Sequence, residues 1–305
     1  MFLISDLWVL LALASGIVGV TVDTLRKQIL TTSTSDGWVV IFRTFLYVVP
    51  CAFLWWLTTD ARINVVHWPF FICGLIACVL CEVIAQWHFQ RAIKELPLSF
   101  CRPLMEMTVI VMIPLSALLL HMPLQLEMIS AIALFMVGAV IIQSDGANAW
   151  LKNIAISIKQ PAVKSIGYVV MFWSMTTVLQ KLCLQYASPQ FFTLCIAIGL
   201  VIGVYAILRK SGIGFADACG GVFEPRYCIV GACMTLGIGL QYSALASLSA
   251  HPSSVVILKR TAQFLYMLVD KKAFALAITP ARILGNVLIF LGVLLIAVLQ
   301  IGPKV

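Results

Sequence analysis

Ten apolar stretches of membrane-spanning length divide the sequence between Leu3 and Ile301. A helix needs about 20 apolar residues to cross a bilayer. The stretches are continuous rather than alternating, which favours helices over the strands of a membrane barrel. Only 10% of the 305 residues are charged, against roughly 25% in soluble domains. We therefore predict an all-α membrane protein, with spans at roughly 3–27, 37–57, 68–94, 98–119, 123–143, 162–185, 189–209, 226–247, 252–270 and 280–301.

The last five stretches repeat the layout of the first five. A shift of 154 positions places the loops at 31–36, 94–98 and 121–124 on those at 185–190, 248–252 and 275–278, and Lys27 on Lys181. Because five spans is an odd number, the two copies must lie in opposite orientations in the membrane. We predict ten transmembrane helices as two inverted five-helix repeats, 1–145 and 162–305, joined by an amphipathic linker at 146–161. Inverted repeats are a common transporter design, with the binding site near the midplane between the halves.

Basic residues are expected on one side of the membrane if the repeats are inverted. Arg26, Lys27, Arg91 and Lys94 flank the first and third loops, and the bases of the second half flank its second and fourth loops. These positions fall on the same side. By the positive-inside rule both termini would lie outside the cytoplasm.

The chain resembles the drug/metabolite transporter superfamily in its ten-helix, EamA-like form. The resemblance rests on the duplicated layout, the length, the basic segments DTLRKQIL and TVLQKLCL, and the short hairpins KELPLS and LSAHPSS. A narrower resemblance links SSVVILKRTAQ to the Lys-Arg segment of triose-phosphate and nucleotide-sugar translocators. In those proteins the adjacent bases bind substrate phosphate in a central cavity. The resemblance implies that Lys259 and Arg260 are anion ligands.

Two adjacent bases near the middle of a span are costly, at roughly 2.5–3.5 kcal/mol each on insertion scales. Lys259 and Arg260 lie about eight residues into the ninth predicted span. They are expected to face a wet cavity or a partner rather than lipid. Anion binding, an internal ion pair that fixes the two halves, and snorkelling to the interface remain open as explanations.

The fourth predicted span contains Arg102 and Glu106, which are four residues apart and share a helix face. Glu106 is the repeat equivalent of Arg260. Residues related by a two-fold axis meet if they lie near that axis, so Glu106 and Arg260 could pair across the interface of the repeats. Such a pair would be either a gate or a static structural contact.

Further polar residues lie within predicted spans. Glu82 could carry a coupled proton, or it could be a structural carboxylate in a pair or one near the interface. Gln241 and Tyr242 in the eighth span, Gln263 in the ninth and Trp173 in the sixth could line the cavity. Hydrogen bonding between helices would account for them equally well.

We predict a secondary transporter of a small polar metabolite, anionic or zwitterionic, in a bacterial inner membrane. The alternatives are an amino-acid or drug exporter and, from another class, a membrane-embedded lipid-handling protein or enzyme. No P-loop, GxSxG or HExxH motif occurs in the sequence, so transport would use gradients or exchange. We expect no cofactor, no metal and no nucleic-acid partner. The expected partners are a small-molecule substrate and the lipid bilayer, and the expected state is a monomer or homodimer.

Overall fold

The computed structural model describes residues 7–32, 36–59, 63, 65–105, 107–121, 161–247, 252–260, 262–275 and 279–301, with six isolated residues between 130 and 141. Every regular element among these residues is a helix. The helices are α1 (Leu7–Thr32), α2 (Gly37–Thr59), α3 (Trp68–Glu95), α4 (Leu98–Met105), α5 (Met107–Leu120), α6 (Pro161–Cys183), α7 (Pro189–Lys210), α8 (Phe215–Cys219), α9 (Pro225–Ala246), α10 (Pro252–Arg260), α11 (Gln263–Phe274) and α12 (Pro280–Ile301).

Proline marks the start of many of these helices. The first residue of α6, α7, α9, α10 and α12 is proline, whose fixed φ suits the first turn and whose missing N–H removes no helical bond there. Ser188 caps α7 by accepting a hydrogen bond from the backbone N–H of Phe191 at 3.3 Å. The sequence therefore defines these starts locally.

Six of the described helices are long and apolar enough to cross a membrane: α1, α2, α3, α6, α7 and α9. The fourth predicted span is described as α4 and α5, with residue 106 between them, and the ninth as α10 and α11. The fifth predicted span, apart from the isolated positions, and residues 146–160 of the predicted linker lie outside the described residues, while Pro161 is the first residue of α6. The prediction of an integral, multi-pass helical membrane protein is confirmed. The ten-helix count and the inverted repeat stay predictions.

The first helix is longer than the sequence predicts. It continues to Thr32, so Arg26 and Lys27 lie more than a turn before its end and are buried. The prediction that they flank the first loop is wrong, and they do not belong in the charge count for orientation. The helix continues through them because their charges are bound inside the protein. Arg26 and Lys27 donate hydrogen bonds to Gln86 and to the backbone oxygen of Leu96.

The packing contacts between helices occur in matching pairs. Helix α1 packs on α9 and α6 on α3, while α2 packs on α9 and α7 on α3. The shift of 154 positions exchanges α1 with α6, α2 with α7 and α3 with α9. The shift therefore converts the α1–α9 contact into the α6–α3 contact, and the α2–α9 contact into the α7–α3 contact. It converts the α2–α7 contact into itself.

The equivalent lysines Lys27 and Lys181 make equivalent contacts. The Lys27 Nζ donates to the Leu96 oxygen at 2.7 Å, just after α3. The Lys181 Nζ donates to the oxygens of Leu245 and Ser247, both at 2.6 Å, at the end of α9. Each lysine therefore binds carbonyls that the end of a helix leaves without a helical partner.

Candidate functional site

A central cavity of about 160 Å³ lies among helices from both halves of the chain. This is enough room for several waters or a small solute. Its walls come from α1, α2, α3, α6, α7 and α9, and from the shorter helices α4, α5, α10 and α11. One wall depends on a close helix crossing, because a Cβ on Gly16 would lie 2.0 Å from the backbone oxygen of Lys259. Only glycine at this position lets α1 and α10 approach so closely.

Six of the residues that the sequence proposes for the site line this one cavity: Lys259, Arg102, Glu82, Gln241, Tyr242 and Trp173. Glu106 lies outside the described residues. For Arg260 and Gln263 the structure describes the backbone, within α10 and α11, but not the side chains. The Glu106–Arg260 pair therefore stays a prediction.

The Lys259 ammonium connects α10 to α9. Its Nζ donates a hydrogen bond of 2.6 Å to the Gln241 Oε1, and the side chain is half-buried at the cavity wall. Lys259 does not snorkel away from the site. The cation that the sequence places at this depth faces the cavity, as an anion ligand would.

The Arg102 guanidinium forms a buried ion pair with Asp23 of α1. The Asp23 carboxylate also accepts a hydrogen bond from the Tyr266 hydroxyl, so it joins α1, α4 and α11. Aromatic rings surround the guanidinium, with centroids 4.7 Å (Phe89), 5.7 Å (Trp173) and 5.4 Å (Tyr266) from its carbon. Ring faces stabilise a cation at such distances.

A chain of hydrogen bonds links Glu82 to Arg26 across α3 and α1. The Gln86 Nε2 donates to the Glu82 Oε1 at 2.6 Å, and the Gln86 Oε1 accepts from the Arg26 Nη1 at 3.0 Å. The Trp173 indole N–H also donates to the Glu82 Oε1, at 3.3 Å. Glu82 and Gln86 are four residues apart in the sequence, a spacing that places both on one helix face. The spacing does not predict their connection to Arg26.

Asp23 and Arg26 are the site residues that sequence reasoning missed. Both lie in DTLRKQIL, whose sequence is typical of a basic helix end, yet both are buried and line the cavity. Their spacing was the available signal, because residues three apart on a helix share a face. An acid and a base on one face, within a helix this apolar, indicate a site inside the membrane.

The described side chains give the cavity an excess of positive charge. Arg26, Arg102 and Lys259 line it together with the carboxylates of Asp23 and Glu82. The charges of Asp23 and Arg102 balance each other in their ion pair. The Glu82 carboxylate interacts electrostatically with two cations, Arg26 and Lys259. Charges held in a protected cavity attract a ligand of opposite sign strongly.

The sequence of the chain matches a family of known proteins. Over residues 6–144 the chain matches the EamA-like transporter family. This confirms the EamA-like resemblance found in the sequence, and it points to a membrane transporter rather than an enzyme. No curated protein matches the chain.

Chains of solved structures also match, 28 in number. One of them is a crystal structure whose alignment includes 93% of this chain and 98% of the matched chain. Its TM-score is 0.61 and its sequence identity is 16%. At this identity the likeness shows the fold alone.

Proposed function

We propose that this chain is a secondary transporter that moves a small anionic or zwitterionic metabolite by alternating access. The two halves, 1–145 and 162–305, would be inverted repeats joined by a linker at 146–161. The cavity between them would be the substrate site. This proposal extends the transporter function to which the family match points.

The observation that carries the proposal is the charge of the cavity. Three cations and two carboxylates among the described residues line a space with room for a small solute. A buried cation without a compensating charge is costly. An anionic group of the substrate would supply that charge during occupancy and lower the cost.

Alternating access is supported by the paired packing of the helices. Contacts that interchange between the halves allow two conformations of similar energy, one open to each side. Both halves contribute to the cavity, and the Asp23–Arg102–Tyr266 cluster joins them beside it. Movement of one half against the other would therefore change access to the ligand.

The site residues receive distinct roles in this proposal. Lys259, with Arg260, would hold a phosphate or carboxylate, while Arg102 and Glu106 would balance the empty site. Glu82 is the candidate for proton coupling. The remaining wall residues would set the shape of the cavity: Gln241, Tyr242, Trp173 and Gln263.

A ligand screen with a matched variant pair tests the function. The purified protein is heated with phosphorylated metabolites, nucleotides, organic acids, amino acids and cationic drugs, because ligands of the folded state raise its melting temperature. An anion or zwitterion should stabilise the wild type and exchange across proteoliposomes. Lys259→Gln should weaken its binding roughly tenfold or more.

Lys272→Gln, at an exposed position, is the control and should bind like the wild type. Stabilisation and exchange by cationic drugs alone would overturn the proposal. So would unchanged affinity in Lys259→Gln.

A further inference from the structure

Two buried cysteines, one from each half of the chain, lie side by side where α3 packs on α6. Cys78 belongs to α3, and Cys183 is the last residue of α6. Only 0% and 1% of their surfaces are exposed. The Cys78 S–H donates a hydrogen bond to the Cys183 sulfur. The two sulfur atoms are therefore in contact, although the residues are far apart in the sequence.

A glycine on α3 makes room for this contact. Gly74 is four residues before Cys78, so both lie on one face of the helix. A Cβ on Gly74 would come within 2.7 Å of the Cys183 sulfur, and a side chain there would push that sulfur away from α3. The absence of a side chain at Gly74 thus keeps the Cys183 sulfur beside Cys78.

Two thiols in contact can form a disulfide or contribute to a metal site. Structural zinc sites need four ligands, and the described residues contain no group of three or more His, Cys, Asp or Glu that could hold a metal ion. A disulfide needs its two sulfurs to approach to about 2 Å. Sulfurs that already share a hydrogen bond need only a small shift to reach that distance. The pair therefore fits a disulfide better than a metal site.

The position of the pair along its helices favours oxidation. Exposed bases lie at the other end of each helix, with Arg91 and Lys94 near the end of α3 and Lys164 near the start of α6. By the positive-inside rule those ends face the cytoplasm, so the two thiols lie nearer the opposite side of the membrane. Disulfides form and persist outside the cytoplasm.

We propose that Cys78 and Cys183 are a redox pair whose disulfide ties the first half of the chain to the second. The oxidant is a small-molecule disulfide. The Cys183 thiolate attacks one sulfur of the oxidant and releases a first thiolate, and the Cys78 thiolate then attacks the Cys183 sulfur and releases a second. The two cysteine protons pass to the released thiolates. Two cysteine thiols are thus oxidised, and one molecule of the oxidant is reduced to two thiols.

Cys183 reacts first because it lies at a helix end. The turn that follows it, residues 184–187, is held by hydrogen bonds back to α6, two of them to the Cys183 oxygen. Gln185 in this turn is exposed. Helix ends open locally at little cost, so an oxidant reaches Cys183 before it reaches Cys78 in the interior of α3.

Peptide mapping of the full-length protein tests the pair. The protein in its membrane is treated with oxidised glutathione, free thiols are alkylated during denaturation, and linked peptides are identified by mass spectrometry. A Cys78–Cys183 link should appear in the wild type and disappear on reduction, and Cys78→Ser and Cys183→Ser should lack it. Cys81→Ser is the matched control, because Cys81 lies on the same helix and is half-buried. This variant should keep the link.

Two further measurements show whether the link forms in the folded arrangement. Gly74→Ala displaces the Cys183 sulfur and should lower the yield of the link by about threefold or more. Gly167→Ala is its control, since a Cβ there would meet nothing within 4 Å. Oxidation should also raise the melting temperature of the wild type by roughly 5 °C or more, because the link closes a long loop. It should not do so in Cys78→Ser.

Three outcomes overturn the inference. Glutathione adds to the exposed Cys73 while no Cys78–Cys183 link forms, the link forms as readily in Gly74→Ala as in the wild type, or the link leaves the melting temperature unchanged. If Cys183→Ser fails to fold, Cys78→Ala still removes one partner of the pair. None of these measurements uses a transported solute, so their failure leaves the proposed function intact, and absence of transport leaves the redox pair intact.

Discussion

Equivalent positions in the two halves carry the same residue where they bind the ends of helices. They carry residues of different charge where they line the cavity. Lys27 and Lys181 bind the carbonyls at the ends of α3 and α9 in the same way. One residue earlier, Arg26 is matched by Gln180, and both line the cavity. The scaffold contact is therefore duplicated, while the charge at the site is present in one copy only.

The same asymmetry extends around the cavity. Asp23 is matched by Thr177 and Arg102 by Val256, and all four line the space. If the two halves are inverted repeats, as proposed, two copies of each charge would place like charges on both walls of the cavity and would bind a ligand equally well in two orientations. Keeping the charges in one copy fixes a single orientation. The comparison thus separates residues of the scaffold from residues of the site.

The largest expected effect is at the Asp23–Arg102 pair, which only the first half contains. Asp23→Asn or Arg102→Gln breaks a buried ion pair and should lower the free energy of unfolding by about 3–5 kcal/mol. The double variant should recover part of this loss. Thermal unfolding in detergent, followed by size-exclusion chromatography, measures it. Additive losses in the double variant would show that the pair does not stabilise the protein.

A smaller loss should follow removal of either scaffold lysine. Lys27→Met and Lys181→Met each leave helix-end carbonyls without their charged donor, at about 1.5–3 kcal/mol per hydrogen bond. Lys181 donates to two oxygens and Lys27 to one, so Lys181→Met should be the less stable variant. Both should keep ligand affinity once folded. A loss of affinity without a loss of stability in either would place that lysine in the site and end the comparison.

The α1–α10 crossing should be the next most sensitive feature. Gly16→Ala brings a Cβ to within 2.0 Å of backbone and should cost about 1–3 kcal/mol through displacement of α10. Because α10 carries Lys259, ligand affinity should fall as well. Gly19→Ala is the control, since its Cβ would meet only the flexible end of Lys259, at 3.9 Å. Equal stability and affinity of the two variants would contradict this role for Gly16.

Much of this molecule is predictable from the sequence, because helix length and apolarity are local properties. The membrane class follows from them, and the starts of the proline-led helices follow from the fixed φ of proline. The inward position of Lys259 is also predictable, since the cost of a charge in lipid leaves few alternatives. Six of the nine predicted site residues line one cavity, and for the three charged ones, Lys259, Arg102 and Glu82, the same cost explains it.

The partners of the charges are not predictable in this way. Asp23 and Arg102 are 79 residues apart, and only tertiary packing brings them together. The sequence places Arg26 at a helix end, because burial of a cation depends on neighbours such as Gln86 from another helix. Length and periodicity carry no information on such contacts.

The smallest expected effect is at Gln180, the equivalent of Arg26 in the second half. Variants at these two positions compare the halves most directly. Gln180 is buried at the cavity wall and its Oε1 has no partner among the described residues. Gln180→Leu removes that unsatisfied acceptor together with the hydrogen bond between the amide and the Tyr242 hydroxyl, so the two effects largely offset and the free energy of unfolding should change by less than about 1 kcal/mol. Ligand affinity should change by less than about threefold, against tenfold or more for Arg26→Leu.

The exchange variant, Arg26→Gln with Gln180→Arg, returns a cation to the cavity but on the opposite half. If the ligand requires the charge beside Glu82, this variant should bind no better than Arg26→Gln alone. Full recovery of affinity would show that only the total charge of the cavity matters, and that the two copies of the repeat are interchangeable at the site.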